Sequence, residues 1–288
     1  MTLYLGRPGA LVELPDPDPG VTATPVRAAA DHQLLGGGRV VDLLGTPRRI
    51  ITASWTRLLD DEYALLEEFH SGARGSGPFA LLPSAARWNY LTTGQAAATS
   101  ATANTSGWTV TASESVASVS APVLRGPRCL AWTVPAAPTS GLLAPVAPGG
   151  APGWSTPPAV AWYFAAAVRA STGAPEVTAR LRWLDAAGTQ LSISIGPPLT
   201  ISASGWLTAA VAATAPAGAV YVVPRLYLTA ATIPAPTTVY VDTPRLGIGT
   251  SGSWTPGRGL PLVTLTDLTD TYPWADVHDA KAVFTEVG

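Results

Sequence analysis

The chain has 288 residues, of which 47% are hydrophobic and only 12% charged, with a formal net charge of -2. That length accommodates two domains of ordinary size, and a weakly acidic chain without a basic cluster argues against nucleic-acid binding. The single cysteine, Cys129, excludes an intrachain disulfide, and the longest apolar run, Ala159–Val168, is about half of the ~20 residues that span a bilayer.

The amino-acid composition changes near Asn89 and changes back near Trp254. Between these positions there are four acidic residues and seven arginines in 166 positions, whereas the flanks have fifteen acidic and ten basic residues in 122. The middle is rich in Ala, Thr, Ser, Pro, Val and Gly, a mixture typical of strands whose hydroxyl groups face water. We therefore predict an inserted module at residues 89–253, flanked by one discontinuous domain formed by residues 1–88 and 254–288.

In the N-terminal flank, the apolar stretches Leu3–Leu5 and Leu11–Leu14 predict two strands. The following Pro15–Gly20 segment alternates proline and aspartate, which excludes helix and inner strand. Gly36–Gly38 and the Gly45-Thr46 pair have the composition of hairpin turns. They separate three segments that are predicted to be extended: Asp31–Leu35, Arg39–Leu44 and Pro47–Thr56.

A helix is predicted at Asp60–His70, with Asp60 or Asp61 as its N-cap and Gly72 ending it. Its apolar stripe should lie across a sheet while the acidic side chains face water. The stripe comprises Tyr63, Leu66 and Phe69, with Leu59 and Leu65 beside them.

Three further strands are predicted in the flanks, at Pro78–Pro83, Leu260–Thr266 and Ala280–Val287. An Asp-rich loop containing Tyr272-Pro273-Trp274 is expected to join the last two. Because an isolated two-stranded piece is marginally stable in water, these strands need partners from the N-terminal flank. The flanks are therefore expected to form one β-sandwich with one helix.

Within residues 89–253, turn signals recur roughly every 8–14 residues, which is typical of an antiparallel sandwich or jelly roll. Val177–Leu184 and Leu191–Ile195 alternate well between apolar and polar residues, and no segment has helical periodicity. The predicted fold class is thus mainly β: an antiparallel jelly-roll sandwich inserted into a β-sandwich with one α-helix.

The inserted module resembles carbohydrate-binding modules of the family 4/9 type. The resemblance rests on Ser204–Thr208, Ala215–Ala219 and Val239–Asp242 ahead of Leu246-Gly247, in that order and spacing. Asn89–Leu91 followed by Ser106–Thr109 is similar to the opening of the same modules. In some of them, a residue at the position of Asp242 is a calcium ligand, so the resemblance implies a calcium site at Asp242, although a second acidic residue is missing near Asn89.

The flanks are similar to minor tail proteins of phages with actinobacterial hosts. The similarity lies in Trp55, the helix up to Phe69, the GSGPFALLPS segment at Gly75–Ser84, and the closing W.PG.GLP pattern at Trp254–Pro261. This resemblance implies a base domain like that of tail-tube and distal-tail proteins, which assembles into rings around the tail channel, commonly with six-fold symmetry.

Candidate ligand-binding residues are aromatic side chains, since an aromatic ring can receive the C–H face of a sugar. The candidates for glycan stacking are Trp154, Trp132, Trp162, Tyr163 and Trp183, and core packing is the competing explanation for each. Trp154 ranks first because it lies in the Pro/Gly-rich stretch Pro145–Pro158, where no strand pattern buries it. Trp132 ranks second.

No catalytic machinery is evident. The histidines, His32, His70 and His278, lie outside any known catalytic motif, and the acidic Asp60–Glu62 group is explained by a helix N-terminus. We expect the chain not to be an enzyme and to need no cofactor, apart from the calcium that the resemblance allows.

Together, the two resemblances imply a structural tail-tip protein of a phage virion, made in the bacterial cytoplasm. It would form a homohexameric ring through its base domain, contact other tail proteins and touch host cell-wall glycan through its module, with avidity from several copies. Sequence-specific binding of nucleic acid is not expected, nor is binding of a membrane. Two alternatives remain: the module is only a structural decoration, or the chain is a secreted polysaccharide-binding protein, which fits less well because no signal peptide is visible.

Overall fold

The computed structural model describes residues 2–33, 39–85, 88–98, 107–111, 113–135, 140–229 and 236–287. The chain is mainly β, as predicted, with antiparallel sheets of the sandwich and jelly-roll type. It divides into two compact units, unit 1 (Met1–Arg7, Val12–Pro83 and Pro261–Gly288) and unit 2 (Pro8–Leu11 and Ser84–Leu260). Within the described ranges, no helix is long and apolar enough to cross a membrane.

The elements are, in chain order, β1 (Leu3–Arg7), β2 (Ala10–Leu14), β3 (Thr22–Gln33), β4 (Arg39–Leu59), α1 (Asp60–His70), β5 (Phe79–Pro83), α2 (Thr93–Ala97), β6 (Trp108–Val110), β7 (Ser115–Val119), β8 (Cys129–Val134), β9 (Ser140–Pro145), a 3-10 turn (Pro148–Gly150), β10 (Trp154–Ser155), β11 (Ala161–Ala170), β12 (Glu176–Leu184), β13 (Gln190–Ile195), β14 (Leu199–Thr200), β15 (Leu207–Thr214), β16 (Tyr221–Thr229), β17 (Thr237–Ile248), β18 (Leu262–Trp274) and β19 (Val277–Glu286).

Unit 1 contains a seven-stranded sheet in the order β2-β1-β5-β18-β19-β4-β3, with α1 packed on its apolar core. The predicted helix Asp60–His70 is confirmed, and Leu66 and Phe69 are buried. Its predicted cap is wrong, because the N-cap is Leu59, whose N–H donates to the Glu62 carboxylate at 3.0 Å. Leu59 is 56% exposed and so lies outside the buried stripe.

Two predicted breaks in unit 1 are continuous strands. Gly45 and Thr46 lie inside β4. The register of the β3–β4 pair shifts between Val26 and Ala28, which accommodates the extra residues, and β4 continues in the same direction. The segment Tyr272–Trp274 belongs to β18, and the chain turns at Ala275 and Asp276 instead. The predicted turn at Gly36–Gly38 lies outside the described residues.

Unit 2 consists of two antiparallel sheets. The front sheet has the order β15-β11-β17-β8-β7, and the back sheet has the order β13-β12-β16-β9-β6, with β10 and β14 added to β16 and β12. The predicted strands Val177–Leu184 and Leu191–Ile195 correspond to β12 and β13. The sheets approach so closely that a Cβ on Gly141 of the back sheet would lie 2.8 Å from the Trp132 ring of the front sheet.

The expectation of no helix in the module is wrong at α2. This single turn begins with reciprocal hydrogen bonds: Gln95 N donates to Thr92 Oγ1 at 3.2 Å, and Thr92 N donates to Gln95 Oε1 at 2.9 Å. The Thr-x-x-Gln spacing is the sequence signal for such a cap. Five residues are too few to produce a helical period in the sequence.

The ends of unit 2 are held together by hydrogen bonds, and this moves the predicted module boundaries outward. The backbone N–H groups of Arg258 and Gly259 donate to the carbonyls of Asn89 and Leu91, both at 2.9 Å, and Trp88 Nε1 donates to the Gly259 carbonyl at 3.1 Å. Of the described residues, Ser84, Ala85, Trp88 and 254–260 therefore group with unit 2, whereas they were predicted in the flanking domain.

Candidate functional site

Four of the five predicted stacking residues are core residues. Trp132, Trp154, Trp162 and Trp183 are fully buried. Their indole Nε1 atoms donate, in that order, to Glu114 Oε2 (2.7 Å), the Tyr90 carbonyl (3.0 Å), Thr156 Oγ1 (2.6 Å) and Ser194 Oγ (2.9 Å). A ring with no exposed face cannot receive a sugar, so the stacking prediction is wrong for these four side chains.

Trp154 is buried because its surroundings are not a free loop. Trp154 and Ser155 form the short strand β10, which pairs with Val222 and Tyr221 of β16. This pairing directs the indole into the sandwich, where its N–H reaches the Tyr90 carbonyl. The pairing is long-range, and no local pattern in the Pro/Gly-rich stretch indicates it.

Tyr163, the fifth predicted residue, lies in a cleft on the front sheet. It follows the buried Trp162 in β11 and, because successive strand residues face opposite sides, it points away from the core and is partly exposed. The cleft has a volume of about 160 Å³. Its lining includes Tyr163, Ala165, Thr208, Thr243, Arg245 and Trp254.

Arg245 provides the buried cation of the cleft. Only 2% of this residue is exposed, and Nη1 donates to the Ser253 carbonyl at 2.6 Å. Burial lowers the pKa of the Arg245 guanidinium, and the nearby Tyr163 hydroxyl partly offsets that effect. A Cβ on Gly252 would lie 1.7 Å from Nη1, so the absence of a side chain at residue 252 lets this segment close over Arg245.

Trp254 provides the second aromatic ring of the cleft. It is partly exposed, and the Arg125 guanidinium lies over its ring at 5.1 Å from the centroid. Trp254 was not among the predicted site residues, because it was assigned to the closing motif of the flanking domain. Thr243 and Arg245 were not among them either, although they lie one and three residues after the Val239–Asp242 segment that resembles carbohydrate-binding modules.

The chemistry of this cleft suits binding better than catalysis. Aromatic rings, threonine hydroxyls and a guanidinium can contact the C–H faces and hydroxyl groups of a sugar. None of the described lining residues carries a carboxylate, whereas glycoside hydrolysis typically uses a pair of them. The volume lies below the about 300 Å³ at which pockets for drug-sized ligands begin, so the cleft fits one small unit of a larger ligand.

Asp242 anchors a loop through its buried carboxylate. Oδ2 accepts hydrogen bonds from the backbone N–H groups of Leu124 (2.7 Å) and Arg125 (3.0 Å), and Oδ1 accepts one from Thr243 (2.6 Å). Donors therefore occupy the directions from which a cation would approach. Within the described ranges, no cluster of three His, Cys, Asp or Glu side chains could hold a metal. Calcium binding at Asp242 stays a prediction.

In unit 1, His278 forms a buried polar cluster. Nε2 lies 2.9 Å from Asp60 Oδ1, Nδ1 lies 3.1 Å from Asp270 Oδ2, and the ring stacks on Tyr63 with centroids 4.2 Å apart. Burial lowers the pKa of His278, but hydrogen bonds to Asp270 and Asp60 outweigh it and raise the pKa above its ordinary value. Because carboxylates engage both ring nitrogens, neither nitrogen is available to a substrate. The absence of enzymatic activity stays a prediction.

No model of a known protein family matches the chain, and no match is found among curated proteins. Similar solved structures include the enzymatically active domain of tailspike protein 4 of bacteriophage CBA120 (14% identity, TM-score 0.42, 57% of this chain and 22% of that chain). A second is the CBM22-1 xylan-binding domain of Paenibacillus barcinonensis Xyn10C, with 12% identity and a TM-score of 0.40 over 52% of this chain and 91% of that chain. A third is the arabinose-bound MgGH51 α-L-arabinofuranosidase, with 15% identity and a TM-score of 0.44 over 57% of this chain and 27% of that chain. The chain thus spans about a fifth of the tailspike domain. With TM-scores below 0.5, these likenesses assign neither ligand nor activity to this chain.

Proposed function

We propose that this chain is a structural protein of a phage tail tip, in which unit 2 binds a neutral cell-wall glycan of the host and unit 1 assembles into a ring. The observation that carries the proposal is the cleft of Tyr163, Arg245 and Trp254 in a β-sandwich module. The sequence resemblance of the flanks to minor tail proteins supports the location in a virion.

A neutral glycan fits the cleft for two reasons. Its two aromatic rings offer apolar surface to a sugar, and the Thr208 and Thr243 side chains supply hydroxyl groups. Its single buried cation, Arg245, is held by the Ser253 carbonyl, so its position is fixed before a ligand arrives. Weak binding at each cleft would gain avidity from several copies in one particle.

The glycan proposal is tested by retention of the full-length protein on arabinogalactan, a neutral polysaccharide, purified from the cell wall of an actinobacterium. We expect Tyr163→Ala and Trp254→Ala each to weaken retention roughly tenfold, since each removes one stacking surface. Tyr221→Ala is the matched control, because Tyr221 is a partly exposed aromatic residue of the back sheet. Equal retention of all four proteins would contradict the proposal.

Ring assembly is supported by two features of unit 1. The twelve-residue strand β3 is an edge of the seven-stranded sheet, and such an edge can pair with another chain. At one end of the same sheet, Leu59, Tyr272 and Trp274 are 56%, 68% and 62% exposed, and Val277 pairs with both Leu59 and Trp274 in register. An exposed apolar cluster of this kind is typical of a protein contact.

Mass photometry and negative-stain imaging of the full-length protein test assembly. We expect a ring, with six copies as the predicted number, and we expect Trp274→Glu to shift the population toward monomer. Leu191→Glu, at a 45% exposed position of unit 2, is the control and should leave the ring intact. A wild-type protein that stays monomeric at high concentration, alone and with tail-tip partners, would overturn this part.

A second function, a module that only decorates the tail tip, is favoured by the burial of Trp132, Trp154, Trp162 and Trp183. Their place in the core means that most of the aromatic content of unit 2 stabilises the fold and does not bind a ligand. Rings that form normally but retain no cell-wall polymer, with Tyr163 and Trp254 intact, would favour this alternative.

A further inference from the structure

Three arginines lie together on the outer face of the back sheet. Arg180 of β12 pairs directly with Arg225 of β16, and Arg182 lies two residues further along β12 on the same face. Like charges directly opposite each other in a sheet are destabilising. An acidic side chain or a bound anion would therefore relieve the repulsion within this cluster of three.

The acidic side chains of unit 2 accept hydrogen bonds from groups other than these arginines. Glu114 accepts from Trp132 and from the Leu142 N–H, and Asp242 accepts from backbone N–H groups. Asp185 caps its own turn through the N–H groups of Ala187 and Thr189, and Glu176 accepts from Thr229 Oγ1 at 3.3 Å. These four are the only acidic residues between 84 and 260.

The guanidinium groups of this face are positioned but not neutralised. Arg180 lies over the Tyr227 ring at 3.4 Å from the centroid, and its Nε donates to Thr178 Oγ1 at 3.1 Å. The Nε atoms of Arg182 and Arg225 are buried, with no hydrogen-bond partner in the described part of the chain. Burial and the charges of Arg182 and Arg180 lower the pKa of Arg225 to about 10.

An apolar border lies beside the charges. Ile195 of β13 pairs directly with Arg180 and is 58% exposed, and Leu191 on the same strand is 45% exposed. A chain of sugars can place its apolar C–H faces on such side chains while its acidic groups reach the arginines. Duplex nucleic acid fits poorly, because three arginines can neutralise only about three phosphates and the whole chain has a net charge of -2.

We propose that the Arg180–Arg182–Arg225 face of unit 2 binds an anionic polysaccharide through its carboxylate or phosphate groups. The planar guanidinium fork forms paired hydrogen bonds with either group, and bound anions relieve the repulsion among the three charges. This site lies on the back sheet and is separate from the front-sheet cleft, so it does not depend on the glycan proposed there.

The test measures retention of the full-length protein on polygalacturonate, which offers carboxylates, and on a poly(glycerol phosphate), which offers phosphodiesters. Pullulan is the neutral comparison. We expect the double variant Arg182→Gln/Arg225→Gln to lose retention at least tenfold. The double variant Arg48→Gln/Arg169→Gln removes the same charge from β4 of unit 1 and from β11 of the front sheet, and it should change retention less than twofold. Arg182→Lys/Arg225→Lys keeps the charge but not the fork, and should lose retention severalfold.

Binding to one anionic polymer or to both supports the proposal and identifies the preferred acidic group. Trp254→Ala should leave this retention unchanged, which separates a failure here from a failure of the cleft. Equal retention by the wild type and the Arg182→Gln/Arg225→Gln variant would overturn the proposal. Retention of pullulan as strong as that of the anionic polymers, or tighter retention of duplex DNA, would overturn it as well.

Discussion

Replacement of Asn89 by alanine should destabilise unit 2 more than replacement of an exposed residue. The Asn89 side chain is fully buried and bonds four backbone groups. Nδ2 donates to the carbonyls of Pro244 (3.2 Å) and Thr255 (3.0 Å), while Oδ1 accepts from the N–H groups of Leu91 (3.2 Å) and Leu246 (3.1 Å). One amide thus ties the start of unit 2 to β17 and to the closing segment.

The cost of Asn89→Ala follows from these four bonds. A buried backbone group left unsatisfied costs about 1–3 kcal/mol, so the lower bound for four groups is about 4 kcal/mol. For a domain of 150–250 residues, each kcal/mol lowers the unfolding temperature by about 2–4 °C, which gives a decrease of roughly 8–16 °C. Gln190→Ala removes the same amide from an exposed position and should have almost no effect.

The single thiol of the chain offers a direct assay of this opening. Cys129 is fully buried in β8, and burial together with the nearby Asp242 charge raises the pKa of its thiol to about 12. The native thiol should therefore resist alkylation, and labelling should report opening of unit 2. A loss of about 4 kcal/mol would accelerate labelling by roughly three orders of magnitude. A change below about fivefold, with an unaltered unfolding temperature, would refute the role assigned to Asn89.

Three further predictions concern other parts of the chain. Trp154→Phe should lower the free energy of unfolding in urea by about 1–3 kcal/mol, because it leaves the buried Tyr90 carbonyl without its donor. The variant protein should retain cell-wall glycan normally. A selective loss of retention would identify Trp154 as a ligand residue. Because the folded pKa of His278 is raised, its stabilising contribution is complete below the unfolded value near 6.5 and is lost as pH rises through the folded value. The unfolding midpoint of the wild type, relative to that of His278→Gln, should fall as the pH rises above about 6.5, and a difference that stays constant with pH would contradict this. Gly257→Ala should abolish cooperative unfolding of unit 2 in calorimetry, since the new Cβ would lie 2.2 Å from the Thr92 carbonyl oxygen; a wild-type transition would contradict it.

Local patterns predicted the elements that short-range interactions decide. Asp60–His70 has an apolar stripe and a terminating glycine, and it is a helix with those bounds. The alternation in Val177–Leu184 likewise corresponds to a strand. By contrast, Gly45 has turn composition but lies inside β4, because pairing with β3 continues on both sides of it. Whether a segment of this composition forms a turn or a bulge depends on which strand pairs with it. That pairing is not a local property of the sequence.

The candidate site was less predictable, since burial of a tryptophan depends on distant partners. Trp154 lies in a Pro/Gly-rich stretch, yet pairing of β10 with β16 buries its ring. Trp254 was assigned to the flanking domain. The hydrogen bonds that place residues 254–260 in unit 2 connect them to residues 88–93, which are distant in sequence, so no local pattern indicates them. Tyr163 was predicted only as one of five stacking candidates; the structure leaves it partly exposed, and its role as a glycan ligand stays a prediction.

Oxidative footprinting of the tryptophans, with and without cell-wall glycan, tests the binding cleft most directly. The chain has ten tryptophans, and peptide mapping by mass spectrometry follows each of them separately. Trp132, Trp154, Trp162 and Trp183 should resist oxidation in both conditions, while the 62% exposed Trp274 should react in both. If the cleft binds glycan, Trp254 should react in the free protein and be protected when glycan is added. Saturating glycan that leaves Trp254 as reactive as before would contradict the proposed site.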